Sequence, residues 1–354
     1  QRRRHRRARA EREVSLRTGA AVAAALRANG HTVHELDPQG AGQWTLPAGT
    51  EVVFLALHGT YGEDGTVQRE LEAMRVPYTG CDPEASRLAF DKVLTKQKCV
   101  AFGVPTAKSS TFKSADAKWP AGWQTPVVLK PVRQGSSVGL QFVDSPAEFP
   151  AKLAEALKFD TEVLMEERII GRETTVGILA GRALPVVEVR PKQGSYDYQN
   201  KYTAGATEYF CPADFDAATT ARIQDAAYGA FNAIGGRDYA RVDVMVRANG
   251  EPVVLEVNTL PGMTATSLLP KAAAAAEDVR NAIVEAEKSA DVEIASVYLS
   301  VTGSHLTSLN THGVFEAAAD DHEISPPDVN EVLANAKVFN RPSENTVLHA
   351  IRQH

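Results

Sequence analysis

The stretch RDYARVDVMVRANGEPVVLEVNTLPGMTATSLLP, residues 237–270, reads as two short apolar strands joined at Asn249-Gly250. Asn-Gly is a strong hairpin signal, because both residues accept the positive φ that a tight reversal needs. Strand side chains alternate between faces. The spacing therefore sets Arg241, Asp243, Glu256 and Asn258 on one face. Val242, Val244, Val253, Leu255 and Val257 are expected on the other. Two carboxylates and an amide, with no Cys or His beside them, form an oxygen-rich set. Such a set suits Mg2+ bridging to phosphates better than zinc. The bland alternative is a hairpin with an internal salt bridge. Against it, two half-buried carboxylates cost several kcal/mol unless balanced. Arg241 supplies one positive charge, and a cation is expected to supply the remainder.

Working outward, KPVRQGSSVG (Lys130–Gly139) puts a lysine at the end of the apolar strand PVVLKPV, residues 126–132. The following loop offers backbone N–H groups and the hydroxyls of Ser136 and Ser137. Glycines let such a backbone approach phosphate oxygens closely. The loop lacks the GxxxxGK[ST] pattern, so it is a different phosphate cradle. HGTYGEDG (His58–Gly65) follows an apolar strand, where open α/β sheets place ligand loops. It gathers His58, Glu63 and Asp64 between glycines.

Helices are expected over 11–29, 67–75, 91–103 and 216–234. Strands are expected over 31–37, 51–59, 126–132 and within 161–190. Their alternation over the first 85 residues predicts an α/β domain with a parallel sheet. Residues 194–212 are polar and aromatic without periodicity, as in a functional or mobile loop. After Ala276 the pattern changes to a small α+β unit: an amphipathic helix from Glu277, the alternating strand ASVYLSVTG, and a helix opened by Ser325-Pro-Pro-Asp328.

The chain has 354 residues, 44% hydrophobic and 23% charged, with a net charge of -6. That is ordinary for a soluble protein and gives no reason to expect nucleic-acid binding. The three cysteines form neither a disulfide framework nor a CxxC site, which predicts a reducing, cytoplasmic setting. No apolar run is long enough for a membrane span, so no membrane insertion is expected.

Together the stretches EREVSLRTG, FLALHGTYGEDGTVQRELE, PYTGCDPEASRLAFDKVLTK, VVLKPVRQGSSVGL, GRETTVGIL, YDYQNKYTAGATEYFCPA, ARVDVMV and LEVNTLPGMTATSLLP resemble the D-alanine–D-alanine ligases, of the ATP-grasp fold. They run in family order from residue 11 to about 275. The resemblance implies ATP-dependent joining of two D-alanines through an acyl phosphate, for peptidoglycan precursors, with two Mg2+ ions (Mn2+ as an alternative).

By position it implies that Lys92, Lys130 and Ser137 meet ATP phosphates and that Lys201 reaches the γ-phosphate. Glu166 and Glu173 meet the nucleoside, and Asp243, Glu256 and Asn258 hold metal. Arg241 and the Gly262 amide stabilise the oxyanion. Glu11 anchors the first ammonium, with Ser15 and His58 near that substrate. Ser136 and Tyr202 link to Glu11, and Ser267 and the Leu268 amide hold the second carboxylate. Tyr202 matches the branch with an amine nucleophile. Relatives of this kind are usually homodimers.

The chain departs from the family twice. Where relatives carry an apolar first strand, this chain has QRRRHRRAR, six Arg in nine residues. These cannot build a buried strand, so the N-terminal sheet is expected to lose a central member and residues 1–10 to form a disordered basic tail. From residue 277 onward, the segments VEIASVYLSVTGSHLTSLNTHGVF, EISPPDVNEVLANAK and VLHAIRQ resemble the small inserted subdomain of FtsA, the actin-like bacterial division protein. That implies contacts with division proteins. The expected organisation is thus a tail (1–10), an N-terminal α/β substrate domain (11–86), the ATP-grasp domains (87–276) and an α+β module (277–354). A junction between two genes would account for it. The rival to an active ligase is a chimera whose ligase part is inert and whose C-terminal module alone makes contacts.

Overall fold

The computed structural model describes residues 2–38, 41–42, 44–135, 137–192 and 207–277. The chain divides into two units, Gln1–Ala276 and Glu277–His354. The α+β module expected over 277–354 lies outside the described residues beyond its first residue.

The first unit opens with α1 (Arg2–Ala28). This corrects the expectation for the tail: residues 2–10 are helical and continuous with the helix expected from residue 11. Arg and Ala are strong helix formers, and neither Gly nor Pro interrupts them before Gly19. The helix stops at Asn29-Gly30, where Gly30 takes a φ of 85°.

A parallel N-terminal sheet is not formed among the described residues. Segments 31–37 and 51–59 are extended, but neither is a ladder strand. Only Val53 pairs, through one parallel bridge to Tyr78. The bonds are Val53 N–H to Pro77 O at 2.9 Å and Thr79 N–H to Val53 O at 3.0 Å. An apolar run makes a sheet only with a neighbour to bond. Here the 51–59 segment meets α1 instead. An ideal Cβ on Gly19 would lie 3.9 Å from the Ala56 Cβ. Leu55 packs with Val67, Leu71 and Leu260. α2 (Thr66–Met74) starts after Gly65, whose φ of 86° and whose contact with the Pro83 carbonyl exclude a side chain.

Two helices follow in tandem. α3 (Pro83–Phe90) is N-capped by Asp82, and α4 (Lys92–Ala101) by Asp91. Asp91 Oδ1 accepts from the N–H groups of Val93 and Leu94, both at 3.1 Å, satisfying donors that a helix start leaves open. α3 was not anticipated, though Asp-Pro-Glu is a readable helix opening.

The central region holds two antiparallel sheets. The smaller has β1 (Ser109–Phe112), β2 (Val127–Pro131), β3 (Gln141–Val143) and β4 (Val163–Glu167), in the order β1-β4-β2-β3. α5 (Phe149–Ala156) covers it, burying Phe149 and Leu153 against Val127, Leu129, Val143, Val163 and Met165. The larger sheet is built from β5 (Gly171–Leu179), the short β6 (Arg182–Ala183), β7 (Val187–Pro191), β8 (Thr207–Phe210), β9 (Tyr239–Arg247) and β10 (Pro252–Asn258). Its order is β10-β9-β5-β7-β8, with β6 on β5. α6 (Ala217–Ala233) lies with α3 and α4 in the core cluster containing Val176, Val242, Val244 and Val257. A helix over 268–277 closes the unit.

The hairpin pairs as expected except at one point. A bulge falls between Val254 and Glu256. Asn258 faces Arg241 and Glu256 faces Asp243, while Val254, not Val253, faces Val244. Val253 lies with Met245, Ala107 and Ile169 on the opposite face. Strict alternation assigned Val253 and Leu255 to the main core. The extra residue at the bulge shifts the parity before it.

Candidate active site

The hairpin face carries a linked set of polar side chains. Arg241 donates to both oxygens of Asp243, from Nε and Nη2, each at 2.9 Å. Thr175, from β5, donates to Asp243 Oδ1 at 2.7 Å, and Asn258 Nδ2 donates to Oδ2 at 3.2 Å. Thr175 was not anticipated from the sequence. It is placed there because β5 and β9 pair with Thr175 opposite Asp243. Glu256 sits beside this set, and Lys92 Nζ stands 3.6 Å from its Oε2. The charge that Arg241 leaves unbalanced is therefore met within the protein, from the first residue of α4. The same ammonium donates to the Gln134 carbonyl at 2.8 Å, tying α4 to the glycine loop.

A second cluster lies between the sheets. Glu166 of β4 is 2% exposed and is flanked by two lysines. Lys130 of β2 contacts its Oε2, and Lys96 of α4 lies 2.6 Å from Oε1. Burial pushes the Glu166 carboxyl up, but Lys130 and then Lys96 overcome it and hold the group below the usual carboxylate range. Burial likewise acts to lower the Lys130 ammonium. Glu166, then Glu256 and Glu173, outweigh it and hold the proton above the usual lysine range. Lys130 thus feels carboxylates of β4, β5 and β10, which belong to both sheets. The sequence signalled Lys130, Glu166, Glu173 and Glu256 separately. It gave no sign of Lys96, which is only the fourth residue after Lys92.

The third group joins the N-terminal part to the hairpin. The His58 backbone N–H donates to Ser15 Oγ at 2.9 Å, and His58 Nε2 lies 3.2 Å from Thr18 Oγ1. Burial, then the Arg241 charge, lowers the His58 pKa to about 4, against a smaller opposing bond with the Leu260 backbone. His58 is therefore a neutral imidazole at neutral pH. Its loop neighbours have structural roles. Glu63 accepts from Gly59 N–H at 2.7 Å, and Asp64 accepts from Tyr61 N–H at 3.1 Å and from Thr66 N–H at 2.9 Å.

Gly262 and Ser267 meet across a tight turn. A Cβ on Gly262 would fall 2.7 Å from Ser267 Oγ. That hydroxyl also accepts from Thr264 N–H at 3.1 Å. Leu268 is buried with Tyr239 and Leu269. Ser137 takes a left-handed φ of 57° in the glycine loop. Ser136, Lys201, Tyr202 and the Glu11 side chain lie outside the described residues.

Among the described residues no three His, Cys, Asp or Glu side chains group as a metal site. The hairpin instead offers two carboxylates and one amide. Asp243, Glu256 and Asn258 are all oxygen donors on adjacent cross-strand positions, a donor set that fits a hard divalent cation. Among the described residues no helix is long and apolar enough to cross a membrane.

Comparison with known proteins shows which family the chain resembles. Residues 45–81 match the profile for the D-ala D-ala ligase N-terminus, and residues 100–285 that for the D-ala D-ala ligase C-terminus. Residues 303–354 match the SHS2 domain inserted in FTSA. The D-alanine--D-alanine ligase of Methylacidiphilum infernorum is 45% identical over 265 residues, covering 75% of this chain and 86% of that protein. The one from Syntrophotalea carbinolica is 47% identical, covering 75% and 87%. Among solved structures, the Bacillus anthracis D-alanine--D-alanine ligase superposes with a TM-score of 0.65 at 31% identity, covering 79% of this chain and 94% of that one. Its complex with ATP gives 0.64 at 33% identity, covering 75% and 88%.

Proposed function

This chain belongs to the D-alanine–D-alanine ligase family, and from that premise we propose that it uses ATP to join two D-alanine molecules through an acyl phosphate. The observation that carries the reading is the position of Lys130. Its ammonium contacts the buried Glu166 and is favoured by the charges of Glu256 and Glu173, while Lys92, which bonds the glycine loop, stands 3.6 Å from Glu256 of the hairpin. A phosphate group seated there would meet Lys130, Lys92 and the loop amides on one side and the hairpin face on the other.

The proposed sequence has two displacements. A carboxylate oxygen of the first D-alanine attacks the γ-phosphorus of ATP, forming an acyl phosphate and releasing ADP. The amine of the second D-alanine then attacks the acyl carbon, and inorganic phosphate leaves as a proton is lost from nitrogen. Lys92 and Lys130, joined by Ser137 and by Lys201 at the γ-phosphate, offset the charge on the phosphoryl oxygens. Glu166 and Glu173 hold the nucleoside. Arg241 and the Gly262 amide face the oxyanion of the tetrahedral intermediate. Glu11, with Ser15 and neutral His58 nearby, holds the first substrate. Ser136 and Tyr202 close over it, and Ser267 with the Leu268 amide holds the second carboxylate. Asp243, Glu256 and Asn258 would hold two Mg2+ ions, or Mn2+, which would neutralise phosphate charge and orient the chain of phosphates.

Cytoplasmic peptidoglycan precursor synthesis is the proposed setting, and self-association through the N-terminal part the proposed assembly, readable by sedimentation. Residues 11–86 and 87–276 are proposed as substrate and ATP-grasp portions, with 277–354 as an added module. The match over 303–354 favours a second reading beside the first, in which that module makes division-protein contacts even where the ligase part is inert.

Release of ADP by the full chain, with ATP, Mg2+ and D-alanine, tests the lead reading. D-alanine-dependent ADP and dipeptide are expected, with D-lactate a poorer second substrate. A folded sample that forms no D-alanine-dependent ADP, while binding purified division proteins, would favour the second reading.

A further inference from the structure

Lys96 has no role in the chemistry described above, yet it is among the most buried charged groups of the chain. It is 5% exposed and its only carboxylate contact among the described residues is Glu166, itself 2% exposed. Lys92 and Lys96 are four residues apart on α4, so they project from one face, a turn apart. Lys92 turns to Glu256 and Lys96 to Glu166.

Lys96 is also tethered. Its Nζ donates to Thr106 Oγ1 at 2.6 Å, and Thr106 donates in turn to the Val254 carbonyl at 3.1 Å. Thr106 and Val254 form a parallel bridge, and Val254 N–H donates to Pro105 O at 2.9 Å. Val254 opens the bulge that places Glu256. One ammonium therefore touches α4, the smaller sheet and, through Thr106, the hairpin.

The second lysine answers a physical difficulty. Lys130 cannot serve both Glu166 and a phosphate at full strength, because each draws the same ammonium. A buried carboxylate deprived of its partner must protonate or move. Lys96 faces no other acid among its described contacts, and its Thr106 tether fixes its head. It can hold Glu166 charged and in place while Lys130 turns to phosphate.

We propose that Lys96 is a positioning residue for nucleotide binding, acting through Glu166. The inference rests on the reading of Lys130 and Glu166 as nucleotide contacts. The test is calorimetric titration of the full chain with ATP and Mg2+, for wild type, Lys96→Met, Glu166→Gln, the double variant and Thr106→Val. Lys96→Met is expected to weaken ATP binding by about 10- to 100-fold, the range for removing a partner of a ligand-holding group. With Glu166→Gln already present, the further loss should fall to about twofold or less, the signature of coupled neighbours. Thr106→Val, which keeps both charges, should give an intermediate loss of about threefold. In turnover, the KM for D-alanine should stay within about twofold.

If Lys96→Met leaves too little folded protein, the double variant removes the ammonium together with the carboxylate it meets and so leaves the net charge of the cluster as in wild type. It and Thr106→Val then bear the test. Thr106→Val binding ATP as wild type does would overturn the inference, as would an unchanged Kd for Lys96→Met. So would an equal loss with and without Glu166→Gln. No ATP binding by folded wild type would overturn the nucleotide reading itself, and the inference with it.

Discussion

Arg241 and Asp243 are two residues apart on β9 and clasp each other through two bonds of 2.9 Å. Their side chains share one face because a strand returns to the same side every second residue. Thr175 and Asn258 complete the set from the strands on either side. Asp243 is thus the centre of a network that spans β5, β9 and β10.

Asp243→Asn should break that network without changing its volume. The amide nitrogen would face the Arg241 or Thr175 donors, leaving donors opposed. We expect a stability loss of about 1–3 kcal/mol by urea unfolding. ADP formation should fall by about 100-fold or more, as when a group stabilising transition-state charge is removed. A loss under about fivefold would count against Asp243 as an active-site residue.

Lys92→Met leaves Glu256 without its nearest cation and frees the Gln134 carbonyl. Both groups lie at the phosphate side of the proposed site. ATP affinity should drop by about tenfold or more, at the scale of a charge-assisted bond. Thermal unfolding should move little, since the pair is only partly buried. Unchanged ATP titration would exclude Lys92 from phosphate binding.

His58 makes stability depend on pH in a defined direction. Its folded pKa of about 4 lies below the ordinary imidazole value of 6.5. Between these values the unfolded chain binds a proton that the folded chain refuses. The contribution is therefore complete above pH 6.5 and is lost as pH falls toward 4, up to about 3 kcal/mol at full effect. Urea unfolding of wild type and His58→Asn at steps from pH 7.5 to 4.5 would read it. The wild-type curve should fall more steeply, and parallel curves would contradict the assignment.

Gly262→Ala tests the turn before the closing helix. The added methyl would stand 2.7 Å from Ser267 Oγ, and Ser267 must rotate or the turn must open. The expected cost is about 1 kcal/mol. The KM for D-alanine should rise about tenfold while ATP titration stays unchanged. Equal effects on both would place the turn outside the second substrate's subsite.

Much of the larger sheet was readable because its signals are local. Asn249-Gly250 fixed the hairpin, and alternation placed Arg241, Asp243, Glu256 and Asn258 on one face. The lysine at the end of β2 and the helix of α4 were equally plain. Val253 was misplaced because a bulge has no sequence mark of its own here. The segments 31–37 and 51–59 have strand composition yet form no ladder, because a strand is a relation between two segments.

By itself the sequence determined the family, the positions of the strands and helices around the hairpin, and the residue types available for phosphate and metal. It also carried the change of character after Ala276, since composition and motif order need no third dimension. Only the tertiary structure decided the partners: Lys92 with Glu256, Lys96 and Lys130 with Glu166, and Ser15 and Thr18 with His58. Those pairs join distant parts of the chain. A charge buried at such a meeting point is set by which opposite charge the packing brings within a few ångströms, and local periodicity does not encode that.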